Sequence, residues 1–257
     1  MTPLNAKTPR LWLGAIGLAG ALALIPQSAA LAQSISLDLG NEGSLTERAI
    51  QMVVLITVIS LAPSILIMTT SFVRMIVVFG LLRSAIGTQT TPPNAVLVAL
   101  ALFLTAFVMQ PVWEASWRAG VQPMIDNGLS IAEAFPLAVG PIKTFMLQHV
   151  REEDLALFVR LAQIETPPQA ADLPVRIVAP AFLVSELRRA FEIGFLVFLP
   201  FLVIDLVVAS LLLAMGMISL PPVVISLPFK LVFFVLVDGW RLIAGSLVES
   251  FIAGPPA

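Results

Sequence analysis

Four ionisable side chains, Asp205, Lys230, Asp238 and Arg241, fall inside two stretches that are otherwise nearly free of charge, Ile193 to Met215 and Val223 to Val248. A charge at the midplane of a bilayer costs roughly 2.5 to 3.5 kcal/mol even on insertion scales, so such groups must face protein or water. Two chemistries suit the set. Because both signs occur together, it reads first as a structural ion-pair cluster that ties the two stretches to each other or to another subunit. Its second reading is a proton or ion relay. Counted outward from Pro221-Pro222, Asp205 and Asp238 each stand about 16 residues away, at equal depth if both arms are helical. Arg241 follows Asp238 by one turn on the same face. Glu186, just ahead of the first stretch, extends this ion-pair and assembly set, next to Arg188, Arg189 and Glu192.

Other chemistries lack their residues. With no cysteine and one histidine, His149, neither a thiolate metal site nor a disulfide frame can be assembled, and the His pairs of zinc enzymes are absent. No GxxxxGK[ST] or GxGxxG run occurs to cradle nucleotide phosphates. A net charge of -2 and a pI near 5.4 remove the basic footprint that nucleic-acid binding needs. The acidic run Glu152, Glu153, Asp154 lacks the glycine turn of a calcium loop and reads as the solvated face of a helix over Ile142 to Ile164, with His149 beside it on the surface. No metal, no cofactor and no catalytic residue is expected, and the chain reads as a non-enzyme.

The elements that position these groups follow from composition. Of 257 residues 58% are hydrophobic and 12% charged, against roughly 25% charged in soluble domains, and the mean hydropathy is +0.99. Residues 1–32 hold Lys7 and Arg10, an apolar core from Leu11 to Ile25 and the small-residue end Ala30-Leu31-Ala32, the pattern of a secretory signal cleaved between Ala32 and Gln33. A short mature segment, 33–44, ends at Ser44, which with Glu47 makes an S-x-x-E capping box. The first hairpin, 45–113, contains two uncharged runs, Ala49 to Val73 and Ala95 to Trp113, each long enough to cross a bilayer. The second, 193–248, contains the two stretches named above, joined by Gly216 to Pro222, and 249–257 is a tail. Between the hairpins, residues 114–192 hold ten acidic and seven basic side chains and form the aqueous insert, closed by an extended run with Pro167, Pro168, Pro174 and Pro180. Pro63, Pro111, Pro200 and Pro228 interrupt the spans and favour packing in an oligomer. Arg74 and Arg83, with no acid near them in sequence, place the first turn in the cytoplasm, and the signal agrees: four crossings then leave the insert and the C-terminus outside.

At this point the residues resemble a known family. PAFLVSELRRAFEIGFLVFLPFLVID from Pro180 to Asp205 and LPFKLVFFVLVDGW from Leu227 to Trp240 resemble the two signature blocks of the FliP family of flagellar export-gate proteins and its relatives in virulence type III secretion. The run SFVRMIVVFGLLRSAIGTQTTPPNAVLVALALFLTAFVM from Ser71 to Met109 resembles it as well, so the likeness covers nearly the whole mature chain.

The resemblance implies an all-α integral membrane protein of helical hairpins with a periplasmic helical insert, assembling into an oligomeric helical export gate. It implies a homo-oligomer, a pentamer, completed by FliQ and FliR, working with FlhA and FlhB in the inner membrane and flagellar basal body. Unfolded flagellar proteins would pass through its centre, driven by the proton motive force. In the family the hairpin before the paired prolines carries a methionine-rich gasket. The matching pore-gate positions here are Met217, Ile218 and Ser219, with Met215 ahead of them, so part of the methionine cluster is present. The rival reading is a proton-coupled membrane carrier using Asp205, Lys230 and Asp238, but paired repeats and a midplane pocket are not visible in the sequence.

Overall fold

The structure, a computed structural model, describes residues 45–164 and 169–252. The expected signal segment with Ala32 and Gln33, the capping residue Ser44, and Pro167 and Pro168 lie outside them. All regular structure among the described residues is helical. Helix α1 covers Leu45–Met68, α2 Phe72–Ile86 and α3 Asn94–Ser116, which continues through a π-helical turn, Trp117–Val121, into the short α4, Gln122–Asp126. Then follow α5, Ile131–His149; α6, Glu152–Leu161; a 3-10 turn, Ala170–Asp172; and α7, Val175–Ala214. Helices α8, Pro222–Leu236, and α9, Gly239–Ile252, close the chain. Two units are distinguished, residues 1–57 and 58–257, and the described part of the first is the opening of α1.

Among the described residues three helical stretches are long and apolar enough to cross a membrane: Ala49–Met68, Asn94–Asp126 and Val175–Ala214. Helices α8 and α9 have 15 and 14 residues and reach that length only together, bent by 61° at their junction. The four expected proline interruptions are not helix ends: Pro63, Pro111, Pro200 and Pro228 each lie inside a helix that runs on past them. Pro180, expected in an extended run, is likewise inside α7, which Pro174 precedes. Each removes one backbone donor, a local loss that apolar flanks of high helical commitment absorb.

The first expected span ends early. Thr69 Oγ1 donates to the Ile65 carbonyl at 2.9 Å and Thr70 Oγ1 to that of Ile67 at 3.4 Å, so hydroxyls compete for carbonyls that the next turn would use. The chain then restarts as α2, and Arg74 and Arg83 lie on this helix rather than in a connecting loop. On α2 the buried residues Met75, Val78, Phe79, Leu82 and Ile86 recur at helical spacing and form one face of the core with Met109, Val178 and Phe182.

That face packs on α7, and the two helices run parallel. Arg74 meets Glu186, Leu81 meets Gly194, and the Ala85 carbonyl shares Lys230 with Asp205. At Gly194 a Cβ would collide with the Leu81 side chain, so any larger residue would force Leu81 to shift. Helix α8 returns along α7, with Ser226 and Lys230 opposite Asp205 and Phe233 and Phe234 against Phe201. Helix α9 runs back along α2, from Trp240 beside Phe79 to Ser250 and Phe251 at Arg74.

Within the polar region, Ser130 and Glu133 form a reciprocal capping box that starts α5. The helix expected over Ile142 to Ile164 is two helices. Val150 and Arg151 are extended, and the Arg151 N–H donates to Ser185 Oγ at 3.1 Å. Glu152, Glu153 and Asp154 therefore occupy the first turn of α6, where carboxylates complement the helix dipole, instead of the middle of a longer helix.

Candidate functional site

The charged residues singled out from the sequence separate into three places. Lys230 Nζ donates to Asp205 Oδ2 at 2.6 Å and to the Ala85 carbonyl at 3.1 Å, while Ser226 Oγ donates to Asp205 Oδ1. Lys230 is 4% exposed and Asp205 30%. Three helices, α2, α7 and α8, thus converge on one ion pair, and both carboxylate oxygens are engaged.

Asp238 and Arg241 are not part of it. They are 65% and 86% exposed and stand 3.9 Å apart at the start of α9. Asp238 adopts left-handed backbone, φ 52°, at the bend, and Gly239 lies so close to the Phe234 ring that a Cβ has no room. The equal depth expected of Asp205 and Asp238 does not hold. Helix α7 stops at Ala214, before Pro222 starts α8, so the turn centres a few residues ahead of the paired prolines and sets Ser226 and Lys230 opposite Asp205.

Glu186 has a partner that local sequence does not show. Its carboxylate takes Arg74 Nε at 2.8 Å and Nη2 at 2.5 Å, a two-pronged pair with both residues at most 1% exposed. Arg74 Nη1 donates to Ser250 Oγ at 2.8 Å, and its guanidinium carbon lies 3.7 Å from the centre of the Phe251 ring. Arg74 is thus buried rather than a surface charge, and Arg188, the neighbour of Glu186 on α7, pairs with Glu192 at 3.1 Å. The signal that could have found Arg74 is its own isolation: an arginine flanked by apolar runs on both sides requires an acid from elsewhere in the chain.

His149, expected on the surface, is 4% exposed. Its ring lies 4.5 Å from that of Phe145 and 5.2 Å from that of Phe251, with Nδ1 2.8 Å from the Phe145 carbonyl and Nε2 3.3 Å from that of Phe251. The nearby Asp154 accepts from Ser185 Oγ at 2.7 Å. Farther out on the insert, the Ser130 hydroxyl and backbone N–H hold the Glu133 carboxyl below the usual carboxylate range. Among the described residues no three His, Cys, Asp or Glu side chains gather as a metal site.

The expected gate residues occupy the turn between α7 and α8. Gly216, at φ 73°, closes α7 in a Schellman arrangement: the Met217 N–H reaches the Leu212 carbonyl at 2.9 Å and the Gly216 N–H that of Leu213 at 3.0 Å. Beyond it the chain turns outward. Met215 is 70% exposed, Met217 39% and Ile218 81%, and Ser219 is exposed as well. Four side chains between positions 215 and 219 are therefore held by a fixed helix end yet left exposed among the described residues, next to an apolar groove of about 540 Å³ between α7 and α8 lined by Val207, Leu211, Met215 and Phe229.

Comparison with known proteins agrees with this architecture. The model of the FliP family matches residues 55–247. The flagellar biosynthetic protein FliP of Caulobacter vibrioides is 62% identical over 234 residues, covering 91% of this chain and 88% of that one. The flagellar biosynthetic protein FliP of Bacillus subtilis is 50% identical over 202 residues, covering 79% and 91%. That of Rhizobium meliloti is 49% identical over 226 residues, covering 86% and 92%. With the family match spanning the core helices, both ion pairs and the exposed tip, this chain belongs to the FliP family.

Proposed function

We propose that this chain is a core pore-forming subunit of the flagellar type III export gate in the bacterial inner membrane and basal body. Copies of it form a ring, a pentamer completed by FliQ and FliR, with FlhA and FlhB as further export components. Unfolded flagellar proteins pass along its axis, and residues 114–192 face the periplasm. Asp205, Lys230 and Glu186 act as ties within the subunit, not as proton carriers.

The observation that carries this reading is the hairpin tip. A ring repeats each tip residue around its axis, and a few apolar side chains repeated in that way make a dry constriction that gates by dewetting. Met215 and Met217 supply unbranched thioether chains that can close around varied cargo and reseal behind it. Ile218, the most exposed of the tip's large apolar side chains at 81%, supplies stiff apolar bulk, and Ser219 is small and polar. The fixed helix end at Gly216 holds these side chains in place without burying them.

The experiment replaces Met217 and Ile218 together by alanine in the assembled complex and measures small-ion leakage across the inner membrane. Raised leakage with assembly intact is expected. Unchanged leakage in a complex open on both sides would refute the gate, and residual secretion with a shifted pH dependence on replacing Asp205 would favour a carrier-like role.

A further inference from the structure

Two helix ends meet on one imidazole. His149 is the last residue of α5, and Phe251 lies in the last turn of α9. Nδ1 of His149 stands 2.8 Å from the Phe145 carbonyl of its own helix, and Nε2 stands 3.3 Å from the Phe251 carbonyl. Both neighbours are acceptors. A neutral imidazole carries one N–H and a lone pair on its other nitrogen, so it donates to only one of them. With the proton on Nδ1 the nearer carbonyl is answered, and the Nε2 lone pair faces the oxygen of Phe251. Only the imidazolium donates to both, and a cation is also what the negative ends of two converging helices attract.

The ring has little room to turn away, because it is 4% exposed and sits between the Phe145 and Phe251 rings at 4.5 Å and 5.2 Å. The charges on the surrounding helices are engaged elsewhere. Arg74 of α2, over the Phe251 ring, is paired with Glu186 of α7, and Asp154 of α6 accepts from Ser185. Glu114, the one charged side chain of α3, is exposed beside Arg118. On α9, Arg241 faces Asp238 and Glu249 is exposed; on α5, Lys143 donates to the Ala171 carbonyl. Among the described residues no carboxylate pairs with His149, so the two carbonyls decide what its protons do.

We propose that His149 is a proton-operated latch: protonated, it ties the last turn of α9 to the end of α5, and on losing a proton it lets Phe251 go. The release reaches beyond one hydrogen bond. Ser250 and Phe251 are the residues of α9 that brace Arg74, at 2.8 Å and 3.7 Å, so the charge on His149 sets how tightly α9 closes over the Arg74–Glu186 pair. The tie is present while His149 is protonated and is lost as pH rises through its titration, within the range of about pH 5 to 8 in which histidine changes charge. The latch lies at the insert end, apart from the hairpin tip, and does not depend on the tip being a gate.

Hydrogen exchange of the full chain in detergent tests this, read by mass spectrometry on peptides covering Leu247 to Ile252 and corrected for the intrinsic pH dependence of exchange. In wild type, lowering the pH from about 7.5 to about 5.5 should slow exchange there by about tenfold, the effect of one hydrogen bond from a charged donor. His149→Gln, which keeps a donor but does not titrate, and His149→Phe, which fills the ring space, should each show no such change. Glu249→Gln, on the same helix and exposed, should keep the wild-type response. Peptides from α8 should be indifferent to pH in all four proteins, which separates a local latch from a general loss of folding. An equal slowing in both His149 variants, or none in wild type, would overturn the latch. So would loss of the response in Glu249→Gln with its retention in His149→Gln, which would assign it to that carboxylate.

Discussion

The two ion pairs that flank the α2–α7 contact are built to different standards. At the insert end, Arg74 and Glu186 are at most 1% exposed, doubly hydrogen-bonded, and braced by Ser250 and the Phe251 ring from α9. At the hairpin end, Lys230 is equally hidden but Asp205 is 30% exposed, and its second oxygen relies on a serine. The parallel helices between them are fixed by the close approach at Gly194. One end of the molecule is therefore clamped from all sides, and the other opens toward an apolar tip. The proposed gate, a tip that yields to passing chain on a firmly held insert, would draw on that asymmetry, because a buried pair stripped of one partner is penalised far more than one that water can reach.

The asymmetry ranks the substitutions. Arg74→Ala leaves Glu186 buried and unpaired and should cost about 3 to 5 kcal/mol, seen as loss of folded protein from detergent extracts. Equal tolerance of Arg74→Ala and Lys230→Ala would break the comparison. Gly194→Val drives a side chain into Leu81 and should lower stability by about 1 to 3 kcal/mol, read as a reduced melting temperature in detergent. Lys230→Ala should cost about 1 to 2 kcal/mol, since the Asp205 it leaves is partly reached by water, whereas Asp205→Ala strands the buried Lys230 and should cost about 3 to 5 kcal/mol; exchanging the two residues should restore part of the loss in assembled complex. Gly216→Ala forces a Cβ into left-handed backbone and should cost about 1 kcal/mol, with leakage affected more than melting temperature.

The smallest effect concerns acid. Glu133 ionises more readily folded than unfolded, so its contribution is present above the unfolded carboxyl value and fades as pH falls through the lower folded one. Ser130→Ala, which removes the hydroxyl but keeps the backbone N–H, should weaken this dependence, leaving a melting temperature that differs from wild type at neutral pH and converges with it under acid.

Much of the helical content was legible because spans need only apolar length, and the tip because Gly216 and Pro221-Pro222 bracket it. The pairing of charges was not. Arg74 and Glu186 are separated by 112 positions, and nothing in periodicity encodes which distant acid an isolated arginine finds. The break between α5 and α6 depends on Ser185 receiving the Arg151 N–H, a contact between residues 34 positions apart that local pattern does not show either. The same gap turned His149 inward, since its neighbours Phe145 and Phe251 come from different helices. Asp238 was grouped with Asp205 by counting, but the count assumed an unbroken α8–α9, and left-handed backbone at Asp238 with Gly239 packed on Phe234 ends that helix early.

The central claim is that Met215 to Ser219 line a shared axis through which cargo passes. The chain contains no cysteine, so Ile218→Cys installs a single thiol at the most exposed large apolar residue of the tip. Oxidation of the assembled complex, paired with a stalled export substrate bearing one cysteine, is the most direct measurement. The account predicts disulfide-linked copies of this chain when the gate is empty and a disulfide to the substrate when it is loaded. A complex in which Ile218→Cys forms neither link, while a cysteine at the exposed Ile131 of the insert does link to the substrate, would contradict it.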